Sequence, residues 1–161
     1  MAAYVDENME VIVAALAAFI AFLAWHAQRT HNRLSVCPFP AVGMLSYHDR
    51  LKIYVRNHGS GPMRIKTLRF VDLSGVSHGN VLKLVSSKAV YGVTTMDEAA
   101  LGPNKSRTLL KMKGNPAEGG KDLEITASEL ASYKIVIEYA DVYGAKFPPY
   151  IRDLSWFAED S

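Results

Sequence analysis

From Val11 to Trp25 the chain reads VIVAALAAFIAFLAW, fifteen residues without a charged or strongly polar side chain. Val11, Leu16, Phe19, Ile20, Phe22 and Leu23 point to every side of a helix, so no polar stripe marks a solvent face. Fifteen residues at 1.5 Å each make about 22 Å, short of the roughly 30 Å hydrocarbon core of a bilayer, so the span needs its flanks. The pattern predicts a short polar N-terminus over 1–8, a transmembrane helix over 9–27 and a basic linker over 28–33. Glu10 would lie at one interface, with Tyr4 and Trp25 at the levels where aromatic belts form.

After Leu34 the pattern changes to short alternating runs separated by Gly, Pro, Asn and Asp. Leu51, Ile53 and Val55 alternate with Lys52, Tyr54 and Arg56, the period of a half-buried strand. In Met63–Val71 the apolar positions switch phase between Ile65 and Leu68, which predicts a β-bulge. Further strands are expected over 107–112, 133–139 and 146–157, the last interrupted by Pro148-Pro149, which cannot donate ladder bonds. Asn80 is placed to cap a short helical run, Val81–Val85, ending near Lys88. Thr126-x-x-Glu129 has capping-box spacing for one helical turn before Tyr133. Residues 90–105 carry no assignable element beyond a turn at Gly102-Pro103-Asn104-Lys105. The expected fold is mainly β, an antiparallel immunoglobulin-like β-sandwich over 34–161 with one or two short helices, preceded by a single transmembrane α-helix.

The segments Leu34-Ser35-Val36-Cys37-Pro38, Asn57-His58-Gly59-Ser60-Gly61-Pro62 and Tyr139-Ala140-Asp141-Val142-Tyr143-Gly144 resemble those of small bacterial and phage proteins. These combine one N-terminal membrane helix with an immunoglobulin-like or fibronectin-like β-sandwich. The likeness implies fold more than function, because its motifs are mostly turn chemistry. Tyr133 is similar to the tyrosine that pins a corner in such sandwiches. A single cysteine means that the inter-sheet disulfide of immunoglobulin domains is absent.

Charge divides the chain at the same place as hydropathy. The total of 18 Lys+Arg against 16 Asp+Glu gives +2, too near neutrality for a nucleic-acid binder working by bulk electrostatics. No Lys or Arg precedes the apolar span, whereas Arg29 and Arg33 follow it. The positive-inside rule then predicts a single-pass protein of the cell (inner) membrane, N-terminus out and C-terminal domain cytoplasmic. An acidic N-terminal flank (Asp6, Glu7, Glu10) without a small-x-small cleavage site reads as an anchor rather than a cleaved signal. Ala14 with Ala18, and Ala17 with Ala21, have the spacing that lets a second helix approach closely.

Candidates for chemistry are sparse. His48, Asp49, His58 and His78 fall in loops without short-range zinc spacing, so they form only a weak metal candidate. Lys52, Arg56, Arg64 and Lys66, on consecutive strands, are candidates for a patch facing anionic headgroups. Asn57, Gly59, Gly61 and Pro62 lack the spacing of a phosphate loop and read as a turn whose glycines supply positive φ; Asp141 and Gly144 read as a hairpin turn. Cys37 reads as a small apolar residue. No motif calls for a cofactor. The expected function is a non-catalytic binding, scaffolding or accessory subunit of a membrane assembly, its partners being the bilayer and other membrane proteins, not nucleic acid. The alternatives are a membrane-tethered hydrolase or metal-dependent enzyme using the loop histidines, and a small-ligand-binding sandwich using Tyr143, Phe147, Tyr150 and Trp156.

Overall fold

A computed structural model describes residues 2–87, 90–115 and 120–159, with side chains over 9–87, 90–115 and 120–158. The side chains of Tyr4, Asp6 and Glu7, and the expected helix end near Lys88, lie outside the described residues. Contacts divide the chain into two compact units, Met1–Ser35 and Val36–Ser161.

The first unit is one helix, α1 (Ala2–Ser35). Its stretch Met9–Ser35 has a most apolar window of mean hydropathy 2.0, none of it buried. It is long and apolar enough to cross a membrane. The 19 residues of 9–27 span about 28 Å, close to the hydrocarbon thickness. Residues 28–33, expected as a linker, instead continue the helix. They contain neither Gly nor Pro, and the first helix breaker is Pro38. Thr30 Oγ1 donates to the His26 carbonyl at 3.1 Å, and the Arg29 guanidinium lies 5.5 Å from the Trp25 ring centroid.

Among the described residues the second unit contains nine strands: β1 (Pro40–Tyr47), β2 (Arg50–Asn57), β3 (Met63–Asp72), β4 (Ser77–His78), β5 (Val90–Gly92), β6 (Ala100–Leu101), β7 (Ser106–Lys113), β8 (Tyr133–Ala140) and β9 (Tyr150–Asp153). They form two antiparallel sheets, one in the order β1-β2-β7-β5 and the other β4-β3-β8-β9, with β6 also paired to β3. Inward side chains of both sheets join one apolar cluster that includes Leu51, Ile53 and Met112 from the first and Ile65, Phe70 and Ile137 from the second.

The expected alternation in β2 holds: Leu51, Ile53 and Val55 are fully buried. The expected bulge in β3 also occurs, with the register against β8 shifting between Ile65 and Thr67. Lys66 is the extra residue, so Met63 and Ile65 point inward before the shift and Leu68 and Phe70 after it. A second bulge in the β2–β7 pairing lets Leu109 and Leu110 both be buried.

Asn80 does cap a helical turn, its side chain accepting from Leu82 N–H at 2.9 Å, but the turn is a 3₁₀ segment of three residues, Val81–Lys83. Thr126 is not a cap. Helix α2 (Lys121–Ala131) starts at Gly120, whose φ of 85° no β-carbon favours, and Thr126 lies in its interior, donating to the Asp122 carbonyl at 2.9 Å. The buried positions Leu123, Thr126, Ala127 and Leu130 share one face of this helix and bind it to the core. The expected strand over 146–157 shrinks to β9. Lys146 makes an isolated bridge to Ala140, the prolines delay further pairing, and Trp156–Glu159 turn into a short helix, α3. β1, β4, β5 and β6 carry no alternation long enough to announce them.

Candidate functional site

The weak metal candidate does not assemble. His48 and Asp49 form the tight turn between β1 and β2, whereas His58 follows the last residue of β2. Eight strand residues separate them, about 26 Å at the rise of a strand. His78 belongs to the other sheet, where its Nε2 lies 3.8 Å from Asp72 Oδ2 and its ring meets Tyr133 edge-on. Among the described residues no three His, Cys, Asp or Glu side chains come close enough to hold a metal ion.

The segment Asn57–Pro62 is a junction, not an anion loop. Alternation along β2 directs Asn57 inward, where it is fully buried. Its Oδ1 accepts from Phe39 and Gly59 N–H at 3.1 and 2.9 Å, and its Nδ2 donates to the carbonyls of Gly61, Leu101 and Gly102 at 2.7, 3.2 and 3.3 Å. One amide thus ties three stretches of chain together: 36–39, 57–62 and 101–105. The glycines are required by close approach and not by positive φ, which corrects the expectation from sequence. A β-carbon on Gly59 would lie 2.2 Å from the Cys37 carbonyl oxygen, and one on Gly61 1.8 Å from that of Val36. The segment that follows α1 is therefore held against this loop. Cys37 is half-buried within it, its thiol facing the Pro38 carbonyl at 3.6 Å.

The Asp141 turn is as expected: its Oδ1 accepts from Tyr143 and Ala145 N–H at 2.9 and 2.8 Å, and Gly144 has φ 81°.

Among the described residues, cavities border the second sheet at two places. One of about 400 Å³ is lined by Arg69, His78, Asn80, Lys83, Thr95 and Asp97. Its strongest charges compensate each other. Arg69 forms a two-pronged pair with Asp97 at 2.7 and 2.8 Å, and Asp97 also accepts from Leu68 N–H at 3.1 Å. The Arg69 hydrogen bond holds the Asp97 carboxyl below its ordinary range and raises the guanidinium in turn. The other, of about 510 Å³, is lined by Lys66, Glu138, Tyr139, Lys146, Phe147 and Pro149. Phe147 stacks flat on Tyr139 at 5.3 Å, and burial raises the Tyr139 hydroxyl above its usual range. Of the aromatic residues considered for a ligand, Phe147 is thus engaged with Tyr139. Tyr150 Oη accepts from Val42 N–H at 3.3 Å, Trp156 packs on Phe157, and Tyr143 stays exposed.

The expected basic patch is divided between two faces. Lys52 and Arg56 lie on β2 and Arg64 and Lys66 on β3, and these strands belong to different sheets. Lys66 pairs with Glu98 at 3.0 Å, and Arg64 approaches the same carboxylate at 4.0 Å. β2 and β3 are consecutive but not neighbours, because the chain crosses between sheets at Asn57–Pro62. Lys111 and Lys113, which do lie beside Lys52 and Arg50, come from a distant strand that local spacing could not bring to notice.

Compared with models of protein families and with curated protein sequences, the chain matches none.

Proposed function

We propose that this protein is a single-pass membrane protein whose two-sheet domain is a non-catalytic binding or accessory module. The observation that carries this reading is α1, whose most apolar window has mean hydropathy 2.0 and no burial. An exposed apolar surface of that length is costly in water and favourable in lipid. Within the helix, Ala14, Ala17, Ala18 and Ala21 fall in an arc of about 100°, a smooth strip for a partner helix. Arg29 and Arg33 lie beyond Trp25, which favours a cell membrane with the N-terminus outside and the domain in the cytoplasm.

An immunoglobulin-like topology is part of the reading. The orders β1-β2-β7-β5 and β4-β3-β8-β9 correspond to A-B-E-D and C′-C-F-G, the strand order of immunoglobulin domains with one added edge strand. That order supports kinship of architecture with the small bacterial and phage membrane-anchored sandwiches that the turn motifs resemble. Domains of this architecture bind through loops and sheet faces, which suits an accessory subunit better than an enzyme.

The test is purification of the full chain in mild detergent. A membrane protein that co-purifies in fixed ratio, and is lost from A17L/A21L, supports an accessory role. A lone monomer for the unsubstituted chain contradicts it.

A further inference from the structure

The four strands of the first sheet contain six basic residues and no acidic one. Two cross-strand pairs between β2 and β7 are of like charge: Arg50 faces Lys113, and Lys52 faces Lys111. Their sequence neighbours Leu51 and Met112 are fully buried, so all four basic side chains lie on the outer face. Like charges directly opposite disfavour strand pairing. Arg50 is paired with Asp49 at 3.3 Å, as Arg69 is with Asp97 and Lys66 with Glu98 in the second sheet, whereas Lys52 and Lys111 have no ion pair among the described residues.

Aromatic residues accompany these cations. Arg50 lies 5.4 Å from the Tyr47 ring centroid and Lys52 Nζ 5.0 Å from that of Tyr54. Tyr91 on β5 stands beside Lys111 and is 77% exposed. Arg56 completes the row on β2, and its Nε is buried without a hydrogen-bond partner among the described residues. Cations interleaved with tyrosines, here Tyr47 and Tyr91 exposed and Tyr54 half-buried, are the composition of surfaces that meet lipid headgroups, where the ring sits at the interface and the charge meets phosphate.

We propose that the outer face of the first sheet docks on the anionic lipid headgroups of the membrane that α1 spans. This rests on the reading of α1 as a membrane anchor. Residues 28–35 carry α1 about 12 Å past the span, and four residues, 36–39, then reach at most about 14 Å to β1, so the domain is tethered within about 26 Å of the hydrocarbon edge. The headgroup surface is therefore permanently at high local concentration for the domain, whereas a free acidic partner would have to be captured from solution. Each basic residue near an anionic surface favours docking roughly fivefold, an effect that salt screens.

The full chain, with Cys37→Ser and an environment-sensitive dye on Tyr91→Cys, is reconstituted into nanodiscs of phosphatidylcholine alone or mixed with phosphatidylglycerol. A second preparation carries the dye on Ile151→Cys, an exposed position of the second sheet. The dye at 91 is expected to shift to the blue only in anionic discs and to return in high salt, while the dye at 151 stays unchanged. K52Q/K111Q is expected to lower the docked-to-free ratio roughly 25-fold. No shift at 91 in anionic discs, or equal shifts at both positions, overturns the proposal. Failure of the anchor reading shows separately, as a chain that does not co-migrate with neutral discs.

Discussion

Replacing Asn57 with alanine tests the junction that joins the post-helix segment to the domain. The side chain is fully buried and makes five hydrogen bonds to backbone groups in three stretches of chain. Alanine leaves the N–H groups of Phe39 and Gly59 without acceptors, at about 1–3 kcal/mol for each group that water cannot reach. The three carbonyls share two donors and tolerate the loss better, since under-satisfied carbonyls are less costly than orphaned N–H groups. A net loss of about 3–5 kcal/mol follows, near the top of the range for single substitutions. For a domain of this size that lowers Tm by roughly 10–20 °C. Asn57→Asp keeps the shape and the acceptor but turns an anionic oxygen toward three carbonyls, so it should be no more stable than the alanine variant. Near-UV circular dichroism of the full chain in detergent follows the domain without the helical signal of α1. A Tm within about 3 °C of the parent for N57A, or an N57D chain close to the parent, would refute the hydrogen-bond account.

The neighbouring glycines and charges give further tests. Gly61→Ala places a β-carbon 1.8 Å from the Val36 carbonyl oxygen and should cost at least about 2 kcal/mol. Gly75→Ala, at φ 89° in open space, should cost only about 1–2 kcal/mol, so equal losses in thermal melts would contradict the close-approach argument. Asp97→Asn removes a carboxylate whose folded-state pKa is depressed, first by the Arg69 hydrogen bond. The stabilisation is complete above the ordinary carboxyl range and is lost as pH falls through the lower, folded value. The parent should therefore exceed D97N in Tm at neutral pH, and the gap should narrow below about pH 4; a gap independent of pH would count against the pair. Phe70→Ala in the shared core should cost about 3–5 kcal/mol by urea unfolding, and a loss below about 1 kcal/mol would mean that the two sheets do not share it.

Alternation made β2, β3 and β8 legible, and the phase switch at Leu68 located a bulge, because one buried face fixes side-chain direction over several residues. The same rule places Asn57 inward as the next member after Val55. Its role as a clamp was hidden because its partners, Phe39 and Leu101, are 18 and 44 residues away. β1, β4, β5 and β6 are edge or two- to three-residue strands whose pairing comes from the neighbouring backbone rather than from their own pattern. The helical spacing of α2 at 123, 126, 127 and 130 is in the sequence, but Thr126-x-x-Glu129 mimics a capping box in the middle of that helix. The basic face is hidden for a topological reason: β2 pairs with β1 and the distant β7, not with β3, the next strand in sequence.

The account depends most on α1 crossing a membrane with the domain in the cytoplasm. Fusing alkaline phosphatase or green fluorescent protein after Ser161 in a bacterial host tests both halves together, with the membranes then washed in alkaline carbonate. The account predicts a silent phosphatase and a fluorescent fusion that stays in the washed membranes. An active phosphatase would reverse the orientation, and fluorescence released into the carbonate supernatant would contradict the anchor itself.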